Sequence, residues 1–242
     1  MNVIIDVGNT FIKLAAYKDS QLQEKVVSEK IPFLDVFEAF ETTYGPFEYG
    51  IVSSVGGFSN EQLIGIQEKV SLLVLDHHTK VPIQNKYATP TTLGVDRIAL
   101  ASAAVKKCHE RNVLVIDAGS CITYDFISAE GVYYGGAISP GLEMRYKAMN
   151  TFTANLPLLT KEQIDYNIGD TTEKSMHAGV IQGVAGEIDG FISQYAENHH
   201  DLTVILTGGD AHFLRDRIKN DIFANSNFLL DGLNYILELN ID

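Results

Sequence analysis

The first apolar run of the chain, Val3-Ile4-Ile5, stops at Asp6 and Gly8. That pattern predicts a buried strand delivering polar groups into a turn. Phe11 to Tyr17 continues as a second strand, Lys18, Asp19 and Ser20 mark a turn, and Leu22 to Ser28 completes an antiparallel meander. Helical spacing follows around Phe33 to Phe40. Ile51 to Val55 reads as a strand ending in Gly56-Gly57, Asn60 to Val70 has helical rhythm, and Ser71 to Leu75 is again strand-like. Past a loop holding Pro82 and Pro90, the alanine-rich stretch from Val95 to Lys107 predicts a helix leading to the second half.

Val113-Leu114-Val115-Ile116 then repeats the opening design, closing on Asp117 and Gly119. Ile5-Asp6-Val7-Gly8-Asn9 and Ile116-Asp117-Ala118-Gly119-Ser120 share one pattern: apolar, Asp, small or apolar, Gly, small polar. Two copies in one chain point to duplication. Cys121 to Phe126, a turn at Glu130-Gly131 and Val132 to Ile138 repeat the meander. Helical stretches around Thr172 to Glu197, a strand from Thr203 to Leu206, a helix from Ala211 to Ile218 and a terminal helix follow. The expectation is two related α/β domains, 1–110 and 111–242, facing one another across a cleft that holds the site.

The 242 residues, 45% of them hydrophobic and 20% charged, suffice for such a pair without staples. The 18 Lys and Arg against 31 Asp and Glu give a net charge of -13, which repels nucleic acid and anionic lipid and sets neither as a partner. The same charge opposes a nucleoside triphosphate, so a phosphate site here demands backbone N–H donors, a Lys or Arg, and a metal. Cys108 and Cys121 are read as reduced thiols. With no signal-peptide pattern and no 18-residue apolar run, the expected location is the cytoplasm, with no membrane contact.

Each Asp-x-Gly places a carboxylate at a strand end, with a glycine two residues on that lets backbone N–H groups approach a phosphate. Asp6 would hold Mg²⁺ through water, while Asn9, Thr10, Lys13 and Ser120 supply donors to phosphoryl oxygens. A plain β-turn, with Asp bonding its own backbone, explains one copy alone; the duplication favours the clamp. In Thr207-Gly208-Gly209-Asp210 two glycines sit where a loop enters a helix, under a flat ligand or in a mere turn. Gly94-Val95-Asp96-Arg97 opens the alanine-rich helix, making Asp96 either a cap or a general base and Arg97 either a surface charge or a donor to substrate. Neither a P-loop nor G-x-G-x-x-G occurs. His77-His78 and His199-His200 lack a metal-ligand rhythm, and Cys121 reads as a small filler.

Taken in order, Asp6-Val7-Gly8-Asn9-Thr10, Tyr87 with Pro90, Gly94-Val95-Asp96-Arg97, Asp117-Ala118-Gly119-Ser120, Gly135 to Gly141 and Thr207-Gly208-Gly209-Asp210 resemble the type III pantothenate kinases over nearly the whole chain. The resemblance implies duplicated actin/hexokinase-like (ribonuclease H-like) domains, each a mixed five-stranded sheet with helices. It implies ATP-dependent phosphorylation of pantothenate to 4'-phosphopantothenate, the first step toward coenzyme A, by a homodimer needing Mg²⁺ and a monovalent cation, K⁺ or NH4⁺. Asp96 carries over as proton acceptor. Asp6, Val7, Gly8, Asn9, Thr10, Phe11, Ile12 and Lys13 match the first ATP loop, and Ser120 matches an ATP contact where threonine is usual. Tyr87, Gly94, Val95, Asp96, Arg97 and Thr172 match pantothenate-holding positions, and Asp117 matches the monovalent-cation ligand. Thr172 would come from the neighbouring subunit, and Thr171, standing where asparagine is frequent, is the alternative contact.

Three other readings stay open on the residues. A kinase of the same superfold acting on another small hydroxyl or carboxylate substrate would keep both Asp-x-Gly clamps. A nucleotide-binding regulator would bind ATP without transfer, and an actin-like polymer would assemble with it.

Overall fold

The computed structural model describes residues 1–8, 11–29, 33–54 and 59–241, in two compact units. The first comprises 1–109, 131–133 and 227–242. Its mixed sheet is centred on β1 (Asn2–Val7), antiparallel to β2 (Phe11–Lys18) and parallel to β4 (Tyr49–Ser54). With β3 (Gln21–Glu29) and β5 (Ser71–Val74) the order is β3-β2-β1-β4-β5. The β2–β3 hairpin turns through Asp19 and Ser20, at φ 52° and 60°. Two successive left-handed residues match the twist of the strands they join.

Central β1 is covered on both faces, which is why Val3-Ile4-Ile5 within it is a continuous apolar run rather than an alternation. On one face Val3, Ile5 and Val7 pack against Phe33, Phe37 and Phe40 of α1 (Phe33–Tyr44) and Ile66 of α2 (Asn60–Gln67). The phenylalanines recur at i, i+4 and i+7, one helical stripe. A capping box between Ser59 and Gln62 starts α2. On the other face lie α3 (Val95–Lys107) and α7 (Phe228–Glu238). Asn2 donates to Asn234 at 3.2 Å and Tyr17 to Asp231 at 2.7 Å. Burial and then Asp231 push the Tyr17 phenol far above its ordinary pKa. A Cβ on Gly232 would fall 2.0 Å from the Ala99 carbonyl oxygen, so α7 meets α3 backbone to backbone.

The second unit comprises 110–130 and 134–226. Here β7 (Val113–Ala118) is antiparallel to β8 (Cys121–Ile127) and parallel to β10 (Thr203–Thr207). With β9 (Val132–Pro140) and β11 (Phe223–Ala224) the order β9-β8-β7-β10-β11 copies the first sheet strand for strand. The first two residues of β9, which belong to the first unit, pair with two-residue β6 (Gln84–Asn85). The core joins Leu114, Ile116 and Tyr124 to Leu142 and Tyr146 of α4 (Leu142–Phe152) and to Val180, Val184 and Ile188 of α5 (Thr172–Asn198).

The sequence pattern gave no helix at α4, which begins at Gly141 without a side-chain cap. The helix expected from Ala211 to Ile218 is shorter: α6 (Ala211–Leu214) gives way to a 3-10 turn at Arg215–Arg217, and Ile218 is extended. Cys108 and Cys121 are not joined in a disulfide. Among the described residues no helix is long and apolar enough to cross a membrane.

Candidate active site

In the first unit the polar groups gather where β1 ends. Asp6, 4% exposed, lies opposite Lys13 in the antiparallel ladder, and Lys13 Nζ is 3.0 Å from Asp6 Oδ2. Across the parallel ladder its neighbour is Ser53. Cross-strand partners share a face, so Lys13, Asp6 and Ser53 form one polar row over β2, β1 and β4. The Ser53 hydroxyl is buried and has no hydrogen-bond partner among the described residues. Gly8 N donates to Phe11 O at 3.0 Å, closing the turn. Val7 and Ile12 are core residues, so any ligand contact from them falls to their backbone, whereas Phe11 is half exposed. Asn9 and Thr10 lie outside the described residues.

A second group in the same unit forms where α3 starts. Leu93, buried, anchors the approach, and Gly94 occupies the N-cap position with no side-chain cap. The Asp96 carboxylate folds back so closely that a Cβ on Gly94 would fall 2.3 Å from Asp96 Oδ1, and any other residue there would displace it. The same oxygen accepts the Arg97 amide at 2.8 Å. Arg97 is buried, its guanidinium carbon 5.8 Å from the centre of the Tyr87 ring, a cation–π distance. Tyr87 in turn is 6.3 Å from the Tyr133 ring, and its amide donates to Asn85 Oδ1 at 2.9 Å. Tyr87, from the loop ahead of α3, is thus brought beside Arg97 of the Gly94-Val95-Asp96-Arg97 run.

In the second unit Asp117 sits at the end of β7, with Thr123 opposite and Thr207 alongside. Gly119 N donates to Cys121 O at 2.9 Å, leaving Ser120 exposed at the tip. Two glycines press on this turn. Gly208 has φ 95°, and an added Cβ would fall 2.3 Å from both Asp117 Oδ1 and the Ala118 carbonyl oxygen. A Cβ on Gly141 would fall 2.1 Å from the Gly119 carbonyl oxygen. These two glycines are therefore required by packing against the turn, whereas Gly209 faces open space. Asp210 N donates to Ala118 O at 2.8 Å, and the Asp210 carboxylate pairs with Lys161.

Thr171 caps α5, its hydroxyl accepting the Lys174 amide at 3.2 Å, while Thr172 is the first helical residue and exposed. Both line a cavity of about 800 Å³ together with Arg145, Met149, Met176 and Gly179. Arg145 donates to Glu187 Oε2 at 2.6 Å and to Ser139 Oγ at 2.9 Å, and Tyr124 donates to Glu187 Oε1 at 2.9 Å. Burial disfavours the charged form of Glu187, yet the Arg145, Ser139 and Tyr124 hydrogen bonds together hold its pKa below the ordinary value. The sequence reading missed Arg145 and Glu187, because a pair joining two helices leaves no local spacing to recognise.

The type III pantothenate kinase family model matches residues 2–194. A type III pantothenate kinase from Christiangramia forsetii is 50% identical over 240 residues, spanning 99% of each chain. Among solved structures, a Campylobacter jejuni protein described as of the Baf family of transcriptional activators aligns at TM-score 0.64 and 22% identity, covering 98% of both chains. A Streptomyces griseus glucokinase of the ROK family, solved with glucose and AMPPNP, aligns at 0.55 and 12%, again over 98% of both. These two likenesses speak to the fold alone, the duplicated actin/hexokinase-like architecture. The agreement in family model and in full-length sequence means that the chain belongs to the type III pantothenate kinase family.

Proposed function

We propose that this kinase, which phosphorylates pantothenate from ATP, does so with Asp96 as general base, Arg97 and Tyr87 as the substrate clamp, and the Asp6–Lys13 turn as the first phosphate holder. The observation that carries this reading is the cluster at the start of α3. There a carboxylate that accepts a backbone amide lies beside a buried arginine whose guanidinium faces a tyrosine ring. Arg97 gives the pantothenate carboxylate or the moving phosphoryl group a cation in a water-poor setting. The terminal hydroxyl oxygen attacks the γ-phosphorus of ATP, its proton passes to Asp96, and ADP leaves with the bond electrons. Gly94 and Val95 add backbone to the substrate side, and Thr172 of the neighbouring subunit supplies the remaining contact. The hydroxyl of Thr171 is already spent on the cap.

Among the described residues no group of three or more His, Cys, Asp or Glu gathers as a ready-made cage. One buried carboxylate flanked by a lysine suits Mg²⁺ that arrives on the nucleotide with its own waters, held by Asp6 through water. When bound, such an ion would supply neutralisation of phosphate charge. We assign Asp117 to the monovalent cation, K⁺ or NH4⁺, and Ser120 to ATP.

We assign the homodimer to α5. Gly179, Gly183, Gly186 and Gly190 are exposed along one helix face, and a Cβ on any of them would meet nothing within 4 Å. Each costs the helix roughly 1 kcal/mol against alanine, a cost offset if a second copy comes close there. Gly179 and Thr172 line the same cavity, so a partner on that face would reach the Thr172 side. The assembly works in the cytoplasm without nucleic acid or membrane partners.

The test is ADP release with ATP and Mg²⁺, with and without pantothenate, in K⁺ and in Na⁺ buffer. Pantothenate-dependent release confined to K⁺ is expected. Release in both buffers removes the monovalent ion, and release with a different acceptor only moves the substrate.

A further inference from the structure

The hydroxyl of Ser53 is the one group of the Lys13–Asp6–Ser53 row without an evident task. It is 1% exposed, has no hydrogen-bond partner among the described residues, and is a direct cross-strand neighbour of Asp6 on the same face. A buried hydroxyl that bonds nothing lowers stability, and an alanine of the same backbone would avoid that loss.

The two ends of the ion pair beside it differ. The Asp6 side chain is 5% exposed, whereas the Lys13 side chain is 33% exposed and sits at the end of a flexible stem. Lys25, near Lys13 on β3, has its pKa lowered by burial and next by the charge of Lys13, so Lys13 is also repelled from within its own sheet. A phosphate arriving at the β1–β2 turn competes for Lys13 on favourable terms. Its success would leave the buried Asp6 carboxylate without the one side-chain donor seen among the described residues, a state that proteins avoid.

We infer that Ser53 is the second partner of Asp6, engaged when nucleotide phosphate draws Lys13 away. This rests on the reading of Asp6 and Lys13 as the first phosphate holder. Neighbouring strands stand roughly 4.8 Å apart, so turning the serine between staggered rotamers is enough to point its proton at the carboxylate. Lys13 can then follow the phosphate while Asp6 keeps a donor and its orientation. Ser53 touches neither substrate nor reacting atoms in this scheme. It is a positioning residue that acts through Asp6.

The ligand-free protein already allows a test. Urea unfolding is measured for the parent, Ser53→Ala, Lys13→Met and the double variant. Ser53→Ala is expected to leave the parent's midpoint unchanged or raised, and to lower it in the Lys13→Met background, where Asp6 depends on the serine. The same shift in both backgrounds overturns the exchange. Calorimetric titration of ATP with Mg²⁺ then reads the bound state. Ser53→Ala is expected to weaken binding about tenfold, the size of one hydrogen bond to a charged group, and unchanged affinity overturns the proposal. If Asp6→Asn and Lys13→Met also bind like the parent, the phosphate-holder reading itself falls, and with it the exchange.

Discussion

The two strand ends that carry Asp6 and Asp117 occupy the same place in copied sheets, yet their surroundings differ. Opposite Asp6 stands Lys13, and opposite Asp117 stands Thr123, whose hydroxyl donates to Asp125 at 2.9 Å. Alongside them stand Ser53 and Thr207. Beyond Thr207 the second copy also presses a left-handed Gly208 against Asp117. Duplication has kept the geometry that delivers a carboxylate to a turn and changed what the carboxylate meets. A carboxylate beside a lysine can release that lysine to a phosphate. One beside hydroxyls and backbone oxygens suits a small cation, which takes oxygen ligands. Further along, Leu14 in the first copy answers to Tyr124 in the second, so an apolar contact became an anchor for Glu187.

The largest expected effect sets both strand ends apart from the chemistry proper. Asp96→Asn should cut turnover by roughly 10²-fold or more and keep most ATP affinity, measured by ADP release beside nucleotide titration. Full turnover in a folded variant would remove Asp96 from the mechanism. Next, Gly208→Ala should destabilise the protein by about 2–3 kcal/mol, from the left-handed strain and the clash at Asp117, while Gly209→Ala stays near neutral in denaturant unfolding. Equal effects would mean that the crowding at Asp117 is not a real constraint. The comparison itself breaks or holds on a reciprocal pair. Lys13→Met should weaken ATP binding about tenfold with cation stimulation intact, whereas Asp117→Asn should abolish the difference between K⁺ and Na⁺ buffer; a swapped pattern would invert the assignment.

The smallest effect concerns Glu187. Its folded-state pKa lies below the ordinary 4.5, so its contribution is present above that value and fades as pH falls through the lower one. The parent should therefore lose stability on acidification more steeply than Glu187→Gln. Parallel pH curves would show that Arg145 does not depend on the charge.

The repeated Asp-x-Gly was legible because a buried strand is a continuous apolar run and its end is punctuated by Asp and Gly. The start of α3 was legible for a similar reason, an alanine-rich helix entered through Gly94. Register was not. Whether Asp6 lies beside Ser53, or Tyr124 beside Glu187, depends on pairing between distant segments. The glycine of Thr207-Gly208-Gly209-Asp210 could be read as a ligand platform, and only the packing shows that Gly208 serves Asp117 and Ala118. For α7, the apolar pattern announces a helix but cannot say which sheet it covers.

That last helix has a consequence for the order in which the protein is made. The second unit ends at Ser226, whereas the first is completed only by Asn227–Asp242. Domains close as units during synthesis. A growing chain therefore holds every residue of its second half before the covering helix of its first half has been translated. The part of the earlier sheet's face that α7 covers, over β1 and β4, waits until those residues have been made, with α3 alone on it until then. Loss of the last turn or two of α7 would then be felt at the opposite end of the sequence, in the strands translated first.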